Sequence, residues 1–215
     1  MKSKLPERLF VTGIGTGVGK TLVAAVLTEA LQADYWKPVQ CGNLENSDAQ
    51  LVQQLISNKA SKIHPEVYRF KTASSPHYAA KIEGTPIEFS HFQIPQSGNR
   101  LIIEGAGGLM APLSDKELAI DLIGYLKSSA VLVVRNYLGG INHTLLSIDA
   151  LRQRHIPIAG IIFSGTNFLD NEEIILHFGR MPVLGRLDEA AQINKEFVAR
   201  QGAKLKESIS QIFEL

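Results

Sequence analysis

The stretch Leu9-Phe10-Val11-Thr12-Gly13-Ile14-Gly15-Thr16-Gly17-Val18-Gly19-Lys20-Thr21 decides the fold. An apolar run leads into a glycine-rich turn, and the turn opens an amphipathic segment from Leu22 to Leu31. Strand, glycine-rich loop and helix in that order make a P-loop. The backbone N–H groups of such a loop line an anionic pocket at a helix N-terminus, where the helix dipole also favours negative charge. Lys20 can reach the outer phosphates of a nucleotide, and the Thr21 hydroxyl can bind the magnesium ion that travels with it. The spacing departs from the usual pattern. Counting back from Gly19, the first glycine of the standard motif falls on Ile14, and Gly13 stands one residue earlier.

Working outward, short apolar runs at Arg8–Thr12, Tyr35–Gln40, Arg100–Glu104, Val131–Arg135, Ile158–Phe163 and Pro182–Leu184 read as buried parallel strands. Segments of helical period separate them: Leu22 to Leu31, Leu51 to Ile56, Leu118 to Leu126, and Leu145 to Leu151. A last helix is marked by Leu205, Ile209 and Ile212. This alternation predicts one α/β domain over 1–215 with a three-layer, P-loop NTPase-like fold: a mostly parallel sheet with helices on both faces. Ligands in such sheets sit at the carboxyl ends of the strands. Residues 71–98, with Pro76, Pro86 and Pro95, break the alternation and predict a long functional loop holding a short helix over His77–Glu83.

Composition bounds the functions. A chain of 215 residues, 45% hydrophobic, has an ordinary core for one globular domain. A net charge of +1 argues against bulk electrostatic binding to nucleic acid or to an anionic membrane. The single cysteine, Cys41, cannot form an intramolecular disulfide and fits a reducing compartment. No apolar run approaches the ~18 residues of a membrane span, and the polar stretch Met1–Glu7 does not resemble a signal peptide. A cytoplasmic location is expected.

Three charged residues stand where nucleotide chemistry would need them. Asp48, in Asn46-Ser47-Asp48-Ala49, reads either as a first-turn helix acid favoured by the dipole or as a magnesium ligand. Glu104 ends a strand and runs into Gly105-Ala106-Gly107-Gly108, which lets backbone approach a ligand. Lys37, in Tyr35-Trp36-Lys37-Pro38-Val39-Gln40, is either an edge-strand lysine facing solvent or a second cation aimed at a transferred phosphoryl group. Asn142 and His143 follow Leu138-Gly139-Gly140-Ile141 and read either as a helix cap with a surface histidine or as part of a binding segment.

These pieces occur in one order: Thr12-Gly13 through Gly19-Lys20-Thr21, Lys37-Pro38-Val39, Asn46-Ser47-Asp48, Ser75-Pro76-His77, Glu104-Gly105-Ala106-Gly107-Gly108, Pro112-Leu113, and Leu138-Gly139-Gly140-Ile141-Asn142-His143. In that order the chain resembles the dethiobiotin synthetase family, a group of P-loop enzymes of biotin biosynthesis. The likeness covers residues 12–143 and continues weakly through Pro182-Val183-Leu184-Gly185. The resemblance implies an ATP- and magnesium-dependent ligase acting on 7,8-diaminononanoate and carbon dioxide, through a carbamate and a carbamic-phosphoric anhydride. It implies nucleotide contacts at Gly15, Thr16, Gly17, Val18, Gly19, Lys20 and Thr21, and at Ser164, Gly185, Leu187 and Asp188 around the base. It implies metal ligation by Thr21, Asp48 and Glu104, catalysis by Lys20 and Lys37, and substrate contacts at Lys37, Cys41, Gly107 and Asn142. It further implies a homodimer in which the Leu138–His143 segment reaches the partner's substrate. Ser75 and His77 are expected to serve helix capping and local packing.

Two positions depart from that family. Ser164 stands where many members carry an asparagine that reads the adenine edge, and Asp188 stands where a proline is usual. A hydroxyl offers fewer simultaneous hydrogen bonds than an amide, so base recognition is expected to rest on backbone near Gly185–Glu189 or to be loose. A competing reading is a partner-regulated ATPase of the Min/Par type. Those proteins carry a further lysine near the first loop glycine, where this chain has Gly13, Ile14 and Gly15. A third is a non-catalytic nucleotide-binding module, against which both magnesium acids and both lysines speak.

Overall fold

The computed structural model describes residues 2–166 and 170–215. Its elements run β1 (Ser3–Lys4), β2 (Arg8–Gly13), α1 (Lys20–Leu31), β3 (Asp34–Trp36), β4 (Val39–Cys41), α2 (Asp48–Leu55), β5 (Ile63–His64), β6 (Tyr68–Phe70) and α3 (Pro76–Ile82). They continue with β7 (Leu101–Glu104), α4 (Ala119–Tyr125), β8 (Ser129–Arg135), α5 (Gly140–Gln153), β9 (Ile158–Ser164), α6 (Asn171–Gly179), β10 (Val183–Leu187), α7 (Lys195–Ile212) and β11 (Phe213–Glu214).

Seven strands form the main sheet in the order β10-β9-β8-β2-β7-β3-β5. Every pair in it is parallel. Strand residues point alternately to the two faces, so each strand supplies two cores. Leu9 and Val11 of β2 pack with Val23 and Leu27 of α1, Val52 of α2 and Val198 of α7. Phe10, between them, packs on the opposite face with Ile120 of α4 and Leu151 of α5. On β8 and β9, Leu132, Val134 and Ile161 meet Ile148 of α5 and Ile175 of α6. The result is the expected three layers. Strand β2 lies at the centre, with β7 on one side and β8 on the other, and the P-loop leaves its carboxyl end between them.

The expected strand Tyr35–Gln40 is two strands. Its first half, β3, belongs to the main sheet, whereas β4 pairs with β6 in a separate two-stranded sheet. The break falls at Lys37-Pro38, because Pro38 has no N–H to continue the ladder; its carbonyl instead accepts from the Val67 and Tyr68 amides. Helix α6 has no counterpart in the periodicity reading. Its buried apolar side is short, with Ile175 inside and Ile174 and Phe178 outside. The short helix expected within 71–98 is present as α3, with Pro76 at its first position, where a missing N–H costs nothing.

Candidate active site

The P-loop bends tightly because of its glycines. Gly19, at the N-cap of α1, has φ +97°, and a Cβ there would stand 2.9 Å from the Ser164 hydroxyl oxygen. At Gly13, a Cβ would come within 2.5 Å of the Val18 side chain, so the unusual early glycine lets the loop close on its own strand. Lys20 is buried, and its ammonium donates to the Gly15 carbonyl at 2.9 Å. Burial and the neighbouring Lys37 lower its pKa, against the pull of Glu104 and Asp48.

Beside the loop, three side chains, Thr21, Tyr35 and Lys37, converge on one carboxylate. Glu104, at the end of β7, is 1% exposed. Its Oε1 accepts from the Thr21 hydroxyl at 2.8 Å and from the Lys37 ammonium at 3.0 Å. Its Oε2 accepts from the Tyr35 phenol at 2.7 Å. Lys37 also pairs with Asp48 Oδ2. The solvent-facing reading of Lys37 is therefore corrected: its side chain is 7% exposed and held between two carboxylates. Burial works against its charge, but Glu104 and Asp48 outweigh it and raise the pKa. Burial and the Glu104 charge likewise push the Tyr35 phenol well above its ordinary value.

Asp48 is a first-turn helix acid, as one of its two readings expects. It lies in the first turn of α2, behind a capping box formed by Ser47 and Gln50, and it also faces Lys37. Its amide is held by the side-chain oxygen of the buried Gln40 at 3.3 Å. Neither Tyr35 nor Gln40 was singled out by sequence. A signal existed for Tyr35, which precedes Lys37 by two, the spacing of one strand face.

Thr21, Glu104 and Asp48 supply hydroxyl and carboxylate oxygens. Among the described residues no three His, Cys, Asp or Glu side chains group to hold a metal by themselves. That donor set suits magnesium, which takes one or two carboxylates and completes its shell with water and substrate phosphates.

A cavity of about 480 Å³ opens from this cluster, lined by Thr16, Lys37, Cys41, Asp48, Ser75 and Gly107 among others. Burial raises the Cys41 thiol pKa to about 11, although Lys37 pulls the other way. A second cavity, about 550 Å³, lies against Gly19 and is lined by Arg135, Ser164, Asp188, Glu189 and Phe197 among others. Ser164 and Asp188 thus stand together at the far end of the P-loop. Gly185 and Leu187 do not line that cavity. Gly185 packs inside β10, where a Cβ would meet Leu205 of α7 at 2.5 Å, and Leu187 is buried in the core.

Asn142 is exposed on α5 and lines neither cavity. Its reading as a helix cap is corrected, since the N-cap is Gly139, at φ +97°. Leu138, just before it, is 88% exposed. Ser75 occupies the N-cap of α3 but makes no side-chain capping bond, and the His77 Nδ1 is buried without a partner among the described residues.

A family model described as an AAA domain matches residues 7–196. The ATP-dependent dethiobiotin synthetase BioD of Christiangramia forsetii is 45% identical over 208 residues, covering 97% of this chain and 100% of the relative. The chain belongs to the dethiobiotin synthetase family. The enzyme of the same name from Rhodopseudomonas palustris strain TIE-1 is 47% identical over 193 residues, 87% of this chain and 91% of the relative. Among solved structures, the cell division ATPase MinD of Pyrococcus furiosus superposes with a TM-score of 0.59 at 15% identity, covering 95% of this chain and 99% of that one. The MinC:MinD complex of Aquifex aeolicus gives 0.57 at 14% identity, covering 95% and 94%. At such identities these likenesses carry the P-loop fold alone. Between synthetase and Min-type ATPase, it is the full-length sequence match that separates family from fold.

Proposed function

We propose that this chain forms dethiobiotin from 7,8-diaminononanoate, carbon dioxide and ATP. The observation that carries the reading is the buried Lys37 ammonium. It sits between Asp48 and Glu104, beside the P-loop Thr21, at the mouth of the 480 Å³ cavity. An ammonium so placed faces both the end of the phosphate loop and the space for a small substrate.

Carbon dioxide adds to one uncharged amine of the substrate with loss of a proton to solvent, giving a carbamate whose negative charge Lys37 stabilises. The carbamate oxygen attacks the γ-phosphorus of ATP, and ADP leaves with the bond electrons. Lys20 follows the charge that builds on the phosphoryl oxygens. The second amine then attacks the carbamoyl carbon, phosphate departs, and the cyclic urea closes with loss of a proton. Positioning and charge stabilisation dominate phosphoryl transfer, and two buried lysines provide both. Thr21, Asp48 and Glu104 would hold magnesium, which supplies charge neutralisation on the phosphates when bound. Gly15–Gly19 would cradle the phosphates, Ser164 and Asp188 would face the base, and Cys41 and Gly107 would line the substrate's path.

Asn142 is assigned to a neighbouring subunit's site in a homodimer. The exposed Leu138, Leu146 and Met110 side chains around the α5 face support that assembly. Among the described residues no helix is long and apolar enough to cross a membrane. We place the protein in the cytoplasm and give it no nucleic-acid partner. Phosphate release from ATP, measured with and without the diamine and bicarbonate, tests the reading. Release should require both, and release independent of the diamine would favour a Min-type ATPase.

A further inference from the structure

The hydroxyl of Tyr35 has no part in the reaction just described, yet it makes the shortest normal contact to the central carboxylate. The ring is fully buried, and packing alone would be served as well by phenylalanine. The phenol instead donates to Glu104 Oε2 at 2.7 Å, leaving Oε1 to Thr21 and Lys37. The terminal torsion of a glutamate is broad, so an unrestrained carboxylate could turn its plane away from the P-loop side. A donor fixed on Oε2 removes that freedom.

We propose that Tyr35 is a positioning residue for the metal–nucleotide site: its bond to one oxygen fixes the plane of the Glu104 carboxylate, so that the other oxygen, bonded to the Thr21 hydroxyl, is held toward the cation. The proposal rests on the reading of Thr21, Asp48 and Glu104 as magnesium ligands. Partners that orient a ligating carboxylate commonly change metal affinity or activity by about 10–100-fold when removed.

Titration calorimetry of ADP on wild type, Tyr35→Phe and Glu104→Gln, each with and without magnesium, separates the possibilities. Without metal, Tyr35→Phe should bind ADP within about twofold of wild type, because Lys20 and the loop are untouched. The gain in ADP affinity conferred by magnesium should fall roughly tenfold. The electron paramagnetic resonance spectrum of manganese bound with ADP should broaden, and the KM for magnesium should rise more than kcat falls. An unchanged magnesium gain in Tyr35→Phe, beside a lost gain in Glu104→Gln, overturns the proposal and leaves the metal site standing. A full gain in Glu104→Gln overturns the metal reading itself. If Tyr35→Phe does not fold, a wild-type crystal structure with magnesium and ADP decides: the phenol on one Glu104 oxygen with the other toward the ion supports the proposal, and any other arrangement ends it.

Discussion

The Lys37 ammonium and Glu104 Oε1 lie 3.0 Å apart, and both side chains are almost wholly withdrawn from water. Sixty-seven residues separate them in sequence. A buried ion pair of this kind is weak as a source of stability, because desolvation offsets most of the attraction. It holds a cation in a defined place between two carboxylates.

Lys20→Ala and Lys37→Ala should both abolish product formation, by different routes. Lys20 reaches the nucleotide, so its loss should weaken ATP binding. Lys37 acts on charge that develops during transfer, so its loss should lower turnover by two or more orders of magnitude with ATP affinity nearly intact, on the order of effects seen for single charge-stabilising groups. Equilibrium binding and steady-state kinetics on the two variants distinguish these routes. Near-normal turnover in Lys37→Ala would remove it from the chemistry.

Cys41 should be slow to react. With its pKa raised to about 11 by burial, the thiol is protonated throughout the neutral range, and only the thiolate is a good nucleophile. Iodoacetamide labelling at pH 7.5 should lag far behind a free thiol and accelerate steadily as pH rises toward 11. Rapid stoichiometric labelling at neutral pH would contradict this.

Acid should destabilise the protein partly through Asp34, which is fully buried. Burial alone would raise its pKa, but hydrogen bonds from Ser97, Asn99, the Lys62 amide and His64 depress it from 3.8 to about 2. The sign follows: a depressed carboxyl contributes stability that is present above pH 3.8 and is lost as pH falls through about 2. The contribution is about 2 kcal/mol at neutral pH. Melting curves of Asp34→Asn should show a shallower decline than wild type below pH 4. Parallel declines would show that the stabilisation lies elsewhere.

Selection of the nucleobase should be weak, because Ser164 offers a hydroxyl where an amide is usual in the family. Competition among ATP, GTP and CTP in the synthetase assay should give less than about a hundredfold preference, ~2.7 kcal/mol. A larger preference would mean that backbone groups around Asp188 and Glu189 suffice to read the base.

Mixed dimers should recover activity. An inactive Lys37→Ala subunit combined with an inactive Asn142→Ala subunit leaves one site with both defects and one with neither, if Asn142 serves the partner's site. Activity returning on mixing is the expected result. Heterodimers that form without activity would mean that each subunit completes its own site.

Local patterns in the chain carried the P-loop, the order of strands and helices, and the short helix near Pro76, because glycine turns and apolar periods act over a few residues. Lys20 and Thr21 could be placed on sight for the same reason: loop and helix start are contiguous. The same local reasoning misplaced the strand Tyr35–Gln40 and passed over α6, whose inward apolar side is too short to impose a period. Lys37 could be named but not placed. Whether it faced water or carboxylates depended on β3 lying beside β7, a pairing between distant segments. The family resemblance put Gly185 and Leu187 among the base contacts; Leu187 is buried in the core, and a Cβ on Gly185 would meet Leu205 of α7. Tyr35 shows the division most plainly. Its alternation in the strand was legible, whereas the 2.7 Å bond to Glu104 exists only because sheet pairing sets Tyr35 opposite Ile102, two positions before Glu104 on the same face. Sequence set the local conformations and the chemical types available; long-range strand pairing decided which of them meet.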